Sequence, residues 1–239
     1  MLLFLGDVHG EFPELSKKIV RYQISNASII QVGDFGIGFR IKQEIEELQV
    51  LNSILAESNS TLYTVRGNHD DPSFFTGRSA FSNIVFVQDY TLLTVEGHNI
   101  LLVGGAVSVD RSVRALGSDY WKDEVFTYNE KLLTDVLANV SSLDIVVTHN
   151  APTEFWPYTF DGIVSKFAQR DDLLLRDLQQ DRGNYSRLLK HLQVMNLLPE
   201  SWYYGHFHAS YQAIYNSITY TLLDCMELIE HFPQTLKRS

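Results

Sequence analysis

The sequence has one cysteine, Cys225, in 239 residues. A single thiol excludes an internal disulfide framework and any thiolate-rich zinc site. Cys225 stands in an apolar, strand-like stretch, which predicts a buried structural thiol. There is no Pro/Gly/Ser-rich linker, no internal repeat and no low-complexity tract. One domain over residues 1–239 is therefore expected, long enough to bury a substantial core. No apolar run approaches the roughly 18–20 residues that cross a bilayer. The run Met1–Leu5 is too short for a signal peptide. A cytoplasmic protein with no membrane partner is the expectation. Positive charge is short as well: 19 Lys and Arg face 29 Asp and Glu, for a net charge of −10. A nonspecific nucleic-acid binder carries a basic face, so a nucleic-acid partner is disfavoured. A small anionic substrate is not excluded, because bound cations would dominate the local field and surface carboxylates are screened beyond about 8 Å.

Against these absences stands a regular hydrophobic pattern. Leu2–Leu5, Ser28–Val32 and Leu62–Val65 are short apolar runs. Between them Phe12, Leu15, Ile19 and Tyr22, then Ile41, Ile45, Leu48, Leu51 and Leu55, recur at helical spacing, and Pro13 suits a first helical turn. This β-α-β-α-β order predicts parallel strands joined by helices. Ile84–Val87, Thr91–Val95 and Ile100–Val103 follow closely and predict antiparallel strands, with Glu96-Gly97-His98-Asn99 as a turn. Helical spacing returns at Leu132, Leu133, Val136 and Val140, and Asp144–Val147 is a strand. Residues 151–200 hold no strand; Tyr185, Leu188, Leu189, Leu192 and Met195 mark one helix face there. Trp202–Tyr204 is a short strand, and Tyr211–Tyr215 with Ile218–Leu223 flank a hairpin turn at Asn216-Ser217. The fold class is α/β, two stacked mixed β-sheets (a β-sandwich) flanked by α-helices.

Five of the apolar runs end in metal-ligand chemistry. Leu2–Leu5 leads to Gly6-Asp7-Val8-His9-Gly10, Ile29–Val32 to Gly33-Asp34, and Leu62–Val65 to Arg66-Gly67-Asn68-His69-Asp70. Ile145–Val147 leads to Thr148-His149-Asn150, and Trp202–Tyr204 to Gly205-His206-Phe207-His208. In open α/β sheets ligands bind outside the carboxyl ends of the strands, so five such clusters would converge on one edge. In extended backbone, positions two apart point the same way, so Asp7 with His9, and His206 with His208, can each face one point. Carboxylate plus imidazole suits Mn, Fe or Zn, whereas an all-oxygen set suits Mg or Ca. A carboxylate can bridge two cations, which makes Asp34 a candidate bridge. Any one of these motifs alone is as readily a solvated turn. His98, His191 and His231 have no such setting and read as surface or structural.

The ordered series Gly6-Asp7-Val8-His9-Gly10, Gly33-Asp34, Gly67-Asn68-His69-Asp70, Thr148-His149 and Gly205-His206-Phe207-His208 resembles the motif series of calcineurin-like metallophosphoesterases, over residues 6–208. The resemblance implies two divalent cations per chain, Mn first, with Fe, Zn or Ni as alternatives. One would be held by Asp7, His9, Asp34 and His208, the other by Asp34, Asn68, His149 and His206. Water activated by the pair would attack phosphorus, and His69 would protonate the leaving oxygen. Asp70 or another carboxylate is the candidate to orient His69. Arg66, Arg111 and Arg114 are candidates to grip phosphate, because the guanidinium fork matches its oxygens; Arg111 also counts as a candidate catalytic residue. The run Gly104-Gly105-Ala106 to Asp110-Arg111 is similar to a segment of bacterial and phage members. Tyr120-Trp121 and Phe155-Trp156-Pro157-Tyr158 are core residues or pocket walls, and residues 151–200 are a candidate helical cap.

One departure bears on the substrate. The phosphoprotein phosphatase branch carries an Asp and an Arg shortly after its second metal Asp. Here Asp34 is followed by Phe35-Gly36-Ile37-Gly38-Phe39-Arg40. That argues against a protein Ser/Thr phosphatase and against a diadenosine-tetraphosphate hydrolase, which share the segment. A phosphatase or phosphodiesterase acting on a small phosphorylated substrate, a nucleotide among the candidates, is the leading expectation. A nuclease with the same metal centre and a non-catalytic module on the same fold are the competitors. The oligomeric state is open.

Overall fold

The computed structural model describes residues 1–160 and 162–232. Asp161 of the expected cap and residues 233–239 of the expected domain lie outside the described residues. The first third is the predicted alternation: β1 (Leu2–Leu5), α1 (Phe12–Arg21), β2 (Ser28–Gln31), α2 (Ile41–Glu57) and β3 (Thr61–Thr64). Then come β4 (Ile84–Phe86), β5 (Thr91–Val95), β6 (His98–Val103), α3 (Glu130–Leu137) and β7 (Ile145–Thr148). α4 (Gly162–Ala168), α5 (Leu174–Val194), β8 (Ser201–Tyr204), β9 (Tyr211–Tyr215), β10 (Ile218–Leu222) and β11 (Leu228–Glu230) complete the chain. Two mixed sheets result, in the orders β11-β1-β2-β3-β4 and β5-β6-β7-β8-β10-β9.

The side-chain period of two sorts each strand between layers. Leu2, Phe4, Ile30 and Val32 of the first sheet meet Ile100, Leu102, Ile145 and Val147 of the second in the central core. Phe4 stacks on Tyr203 across the gap, ring centroids 3.7 Å apart. The alternate residues face outward. Leu3, Leu5 and Ile29 pack under Phe12, Leu15, Leu48 and Leu51 of α1 and α2. Leu101, Val103, Val146 and Trp202 pack under Leu133, Tyr185, Leu188 and Leu192 of α3 and α5. Burying each such side chain stabilises by about 1.5–3 kcal/mol. Strands buried on both faces explain the continuous apolar runs. Because β1, β2 and β3 are parallel, as are β6, β7 and β8, their carboxyl ends share one edge of the sandwich.

The structure corrects three local expectations and adds one strand. Ile84–Phe86 is not antiparallel to its successors; β4 pairs parallel with β3, and the chain changes sheet between Phe86 and Thr91. The β5–β6 turn is only Glu96-Gly97, both at positive φ (53° and 81°), so His98 and Asn99 already pair with Val95 and Thr94; this is the geometry that two-residue hairpins favour. β11 carried too short a pattern to be read. Cys225 is exposed, in the turn after β10, because Leu222 and Leu223 end the buried run.

Candidate metal centre

The five predicted loops meet at the shared edge, and their backbones are tied together. The amides of Val8 and His9 donate to Asp34 O, both at 2.9 Å, and Gly205 N donates to His149 O at 3.1 Å. His206 N donates to Asp7 Oδ2 at 3.0 Å, and His69 N to Asp34 Oδ1 at 2.7 Å. His9, Asp34, His206 and His208 all have positive φ, between 46° and 73°. Non-glycine residues seldom adopt this region, and such strain concentrates at functional sites. The glycines beside the ligands permit close approach: a Cβ on Gly67 would lie 2.0 Å from Asp34 Oδ1, and one on Gly205 would lie 2.1 Å from Asp7 Oδ1.

The seven predicted ligands come together in two groups that share Asp34. Donor atoms of Asp7, His9, Asp34 and His208 lie within 4.8 Å of one another, as do those of Asp34, His149 and His206. Asn68 Oδ1 joins the second group, 3.1 Å from His149 Nε2, and that nitrogen is 3.2 Å from Asp34 Oδ1. His149 Nδ1 faces Val32 O at 3.1 Å. Donation there leaves the Nε2 lone pair for the cluster, the usual way a metal-bound imidazole is fixed. His9 Nε2 and His208 Nε2 are 3.0 Å apart, about the spacing of two imidazoles on one cation at metal–nitrogen distances of about 2.0–2.1 Å.

The electrostatics also ask for positive charge. Asp7 is fully buried and its Oδ1 has no hydrogen-bond partner. Against burial, His149 and His69 hold the Asp34 carboxyl well below the usual range. Burial would lower His149, yet the Asp34 and Asp7 carboxylates lift it to about 9. His206 is pushed well down, first by burial and then by His149, and so stays a neutral donor. A nitrogen-and-oxygen donor set with an orphaned buried carboxylate oxygen fits divalent cations of the Mn, Fe and Zn kind.

His69 sits beside the cluster, its ring edge-on to His9 at 5.0 Å and stacked under Phe39 at 6.4 Å. Burial lowers its pKa, with the Arg114 guanidinium adding to that and Asp34 opposing it. Arg114 Nη2 is 2.6 Å from His69 Nε2. Its Nη1 lies 3.4 Å from Ser108 Oγ, and its Nε pairs with Asp110 at 2.7 Å. Asp70 does not face the His69 ring. Its two oxygens accept from the amides of Phe35, Gly36, Ile37 and Gly67, at 2.7–3.2 Å. It clamps the Asp34 loop to the Asn68 loop. Burial and the Asp34 charge push it up to about 7, against the pull of those amides.

The other two arginines are held elsewhere. Arg66 is buried, pairs with Asp89 at 2.7 Å and donates to the carbonyls of Asp123, Glu124 and Val125. Arg111 joins Asp171 and Asp177, at 2.6 and 2.7 Å, fixing the loop after β6 to the start of α5. Neither lines the cavity of about 760 Å³ that opens on the cluster; Arg114 does. Asp34, Asn68, His69, His206 and His208 form its floor, while Trp156, Tyr158, Phe160 and Phe167 give apolar walls. Phe155 is instead core, stacked on Tyr220 at 4.3 Å.

Several contributors escaped the sequence reading. Ser108 Oγ accepts from Asn68 Nδ2 at 3.2 Å, which turns Asn68 Oδ1 toward His149. Ser108 N in turn donates to Glu124, whose carboxyl burial pushes up to about 7. Ser108 lies in the Gly104–Arg111 run that drew notice, but Glu124 carried no signal. Arg182, 5% exposed, donates to the carbonyls of Ala151, Pro152, Phe155 and Pro157 and so shapes the cavity wall. Glu44 accepts from the amides of Gly38, Phe39 and Arg40, at 2.6–3.0 Å, and thereby sets Phe39 over His69.

Comparison with known proteins places the chain in a family. The calcineurin-like phosphoesterase family model matches residues 1–210, a span that includes all five ligand-bearing loops. No curated protein matches the chain. Among solved structures, a phosphopantetheinyl hydrolase from Mycobacterium tuberculosis is 15% identical, covering 94% of this chain and 90% of that one, with a TM-score of 0.48. A dimetal phosphatase from Danio rerio is 12% identical, covering 94% of this chain and 88% of that one, with a TM-score of 0.45. This chain belongs to the calcineurin-like phosphoesterase family and is a metal-dependent phosphoesterase.

Proposed function

We propose that the chain hydrolyses a small phosphate ester bearing a sizeable apolar group, using two divalent cations that share Asp34. Asp7, His9, Asp34 and His208 would hold one cation, and Asp34, Asn68, His149 and His206 the other, with Mn the first candidate metal. Such a pair supplies charge neutralisation at the phosphoryl oxygens and an acidified water as nucleophile. The observation that carries this reading is the pair of donor groups joined through one buried carboxylate.

The surrounding residues then divide the remaining tasks. Arg114, whose guanidinium reaches the His69 ring, offers its fork to phosphoryl oxygens that enter between them. His69 gives a proton from its ring to the leaving oxygen, a contribution of about 10²–10⁴ in rate. Burial, with the Arg114 guanidinium adding to it against Asp34, favours the neutral imidazole; an anionic substrate that draws the guanidinium away lets the ring take a proton from water, which it then gives to the leaving oxygen. Apolar walls above the cluster take the organic part of the ester and exclude water from it. A nucleotide base or another flat or aliphatic group fits this description.

Among the described residues, no helix is long and apolar enough to cross a membrane. A cytoplasmic location and a small-molecule partner belong to the same proposal. The test is hydrolysis of p-nitrophenyl phosphate and its bis ester, with Mn²⁺, Fe²⁺, Zn²⁺ or Ni²⁺ added. Metal-dependent turnover of either ester is expected. Metal-loaded protein that is inert toward both, and toward a panel of nucleotides, would refute the proposal. In the same assay His69→Ala should lower kcat by about 10²–10⁴ while both metals stay bound; loss of metal would show that His69 has a different role.

A further inference from the structure

Ser108 stands where the metal ligands meet the arginine of the cavity. It is fully buried, in the loop after β6. Asn68 Nδ2 donates to its Oγ at 3.2 Å, and Arg114 Nη1 donates to the same oxygen at 3.4 Å. Its amide donates to Glu124 Oε1 at 2.8 Å. Burial pushes the Glu124 carboxyl up to about 7, and the Ser108 hydroxyl, with the amide, pulls the other way. Glu124 is itself fixed: its carbonyl accepts from Ala106 N at 3.2 Å and from Arg66 Nη1 at 2.5 Å.

A serine hydroxyl has one proton and two lone pairs. A guanidinium can only donate, so Arg114 takes one lone pair. An ionised carboxylate can only accept, so Glu124 takes the proton. What remains toward Asn68 is a lone pair, which accepts from the NH2 end of that amide and not from its oxygen. Asn68 Oδ1 is thereby turned the other way, to 3.1 Å from His149 Nε2.

We propose that Glu124 and Ser108 are positioning residues, a relay of hydrogen-bond polarity that fixes which end of the Asn68 amide faces the cation site of Asp34, His149 and His206. This rests on the metal reading above and deepens it. The oxygen end of the amide can coordinate a cation; the NH2 end has no lone pair to give and repels one. The two ends have nearly the same shape, so packing does not choose between them and the hydrogen-bond network does. The Arg114 bond is the longer and weaker of the two on Ser108, and Asp110 holds that guanidinium separately at 2.7 Å. The relay therefore bears on the cation more than on the grip of phosphate. The site of Asp7, His9 and His208 has no amide ligand and lies outside its reach.

The experiment is a Mn²⁺ titration of the full chain without substrate, read by calorimetry and by electron paramagnetic resonance of the unbound ion. The wild type should bind two cations. Ser108→Ala, which removes a single oxygen, should weaken one of the two by about 10–100-fold and leave the other within about threefold. In an Asn68→Asp background both ends of the side chain are oxygens, so Ser108→Ala should there cost about threefold or less. Equal losses in the two backgrounds would make Ser108 a packing residue and overturn the relay. So would equal weakening of both cations, or unchanged binding in Ser108→Ala. All three results leave the metal reading standing. Wild-type protein that binds fewer than two cations would overturn the metal reading, and the relay with it.

Discussion

The floor and the walls of the cavity are held in different ways. At and just beneath the floor, Asp7, Asp34, Asn68 and His149 are buried polar side chains in loops tied backbone to backbone. Each lies on or just after a parallel strand, and four of the seven candidate ligands sit in left-handed backbone. The walls come from residues 156–160, residues 163–167 and the start of α5, where Val164 and Leu178 form a small satellite core with Val107. Arg182 and the Arg111–Asp171 and Arg111–Asp177 pairs anchor this side through a few long side chains. The floor is over-determined and strained, as a preorganised ligand set requires. The walls are apolar and lightly tied, which suits shape selection more than chemistry.

The comparison can be broken first at its centre. Asp34→Ala should abolish binding of both cations and lower turnover by about 10³ or more; metal analysis showing two cations still bound would deny the shared role. Next comes the contrast between arginines. Arg114→Ala should cost roughly 10²-fold in kcat/KM. Arg111→Ala should leave kcat/KM within a few-fold and reduce stability by about 1 kcal/mol, because it strands Asp171 and leaves Asp177 with Arg176 alone. Equal kinetic losses in the two variants would erase the distinction between floor and anchor.

A wall substitution should act on specificity. Phe167→Ala should lower kcat/KM roughly tenfold for esters with bulky apolar groups, with little change for small ones. A uniform loss across substrates would argue that this wall supports the fold and does not read the substrate.

The smallest effect concerns pH. Burial pushes the Asp181 carboxyl from its ordinary 3.8 to about 7, although Asn150 and the Val107 amide stabilise its charged form. The native state then holds this proton between about pH 4 and pH 7, where the unfolded chain has lost it. Stability supplied here is present at the acidic end and is lost as pH rises through the folded value, by a few kcal/mol at most. Asp181→Asn should flatten the expected decline in denaturant midpoints from about pH 4 to pH 7. An unchanged slope would assign the decline to other groups.

The same contrast explains what could be read in advance. The floor was legible because its chemistry is local: each ligand follows an apolar strand by a few residues, and five such placements on parallel strands must share an edge. The strands β1, β2, β3, β7 and β8 were found for the same reason. The walls depend on contacts between residues far apart in the chain. Arg66, Arg111 and Arg114 look alike in sequence, and distant partners separate the first two from the cavity: Asp89 and the carbonyls of residues 123–125 for Arg66, Asp171 with Asp177 for Arg111. Asp70 likewise stood beside His69 in sequence but turns to four backbone amides. Cys225 was misplaced because its neighbours Leu222 and Leu223 are buried while the turn beyond them is not.

The most direct measurement is a metal count with location: elemental analysis of metal-loaded protein, joined to anomalous diffraction from its crystals. The account predicts two cations per chain, with the Asp34 carboxylate between them. One cation, none, or two that do not share Asp34 would contradict it.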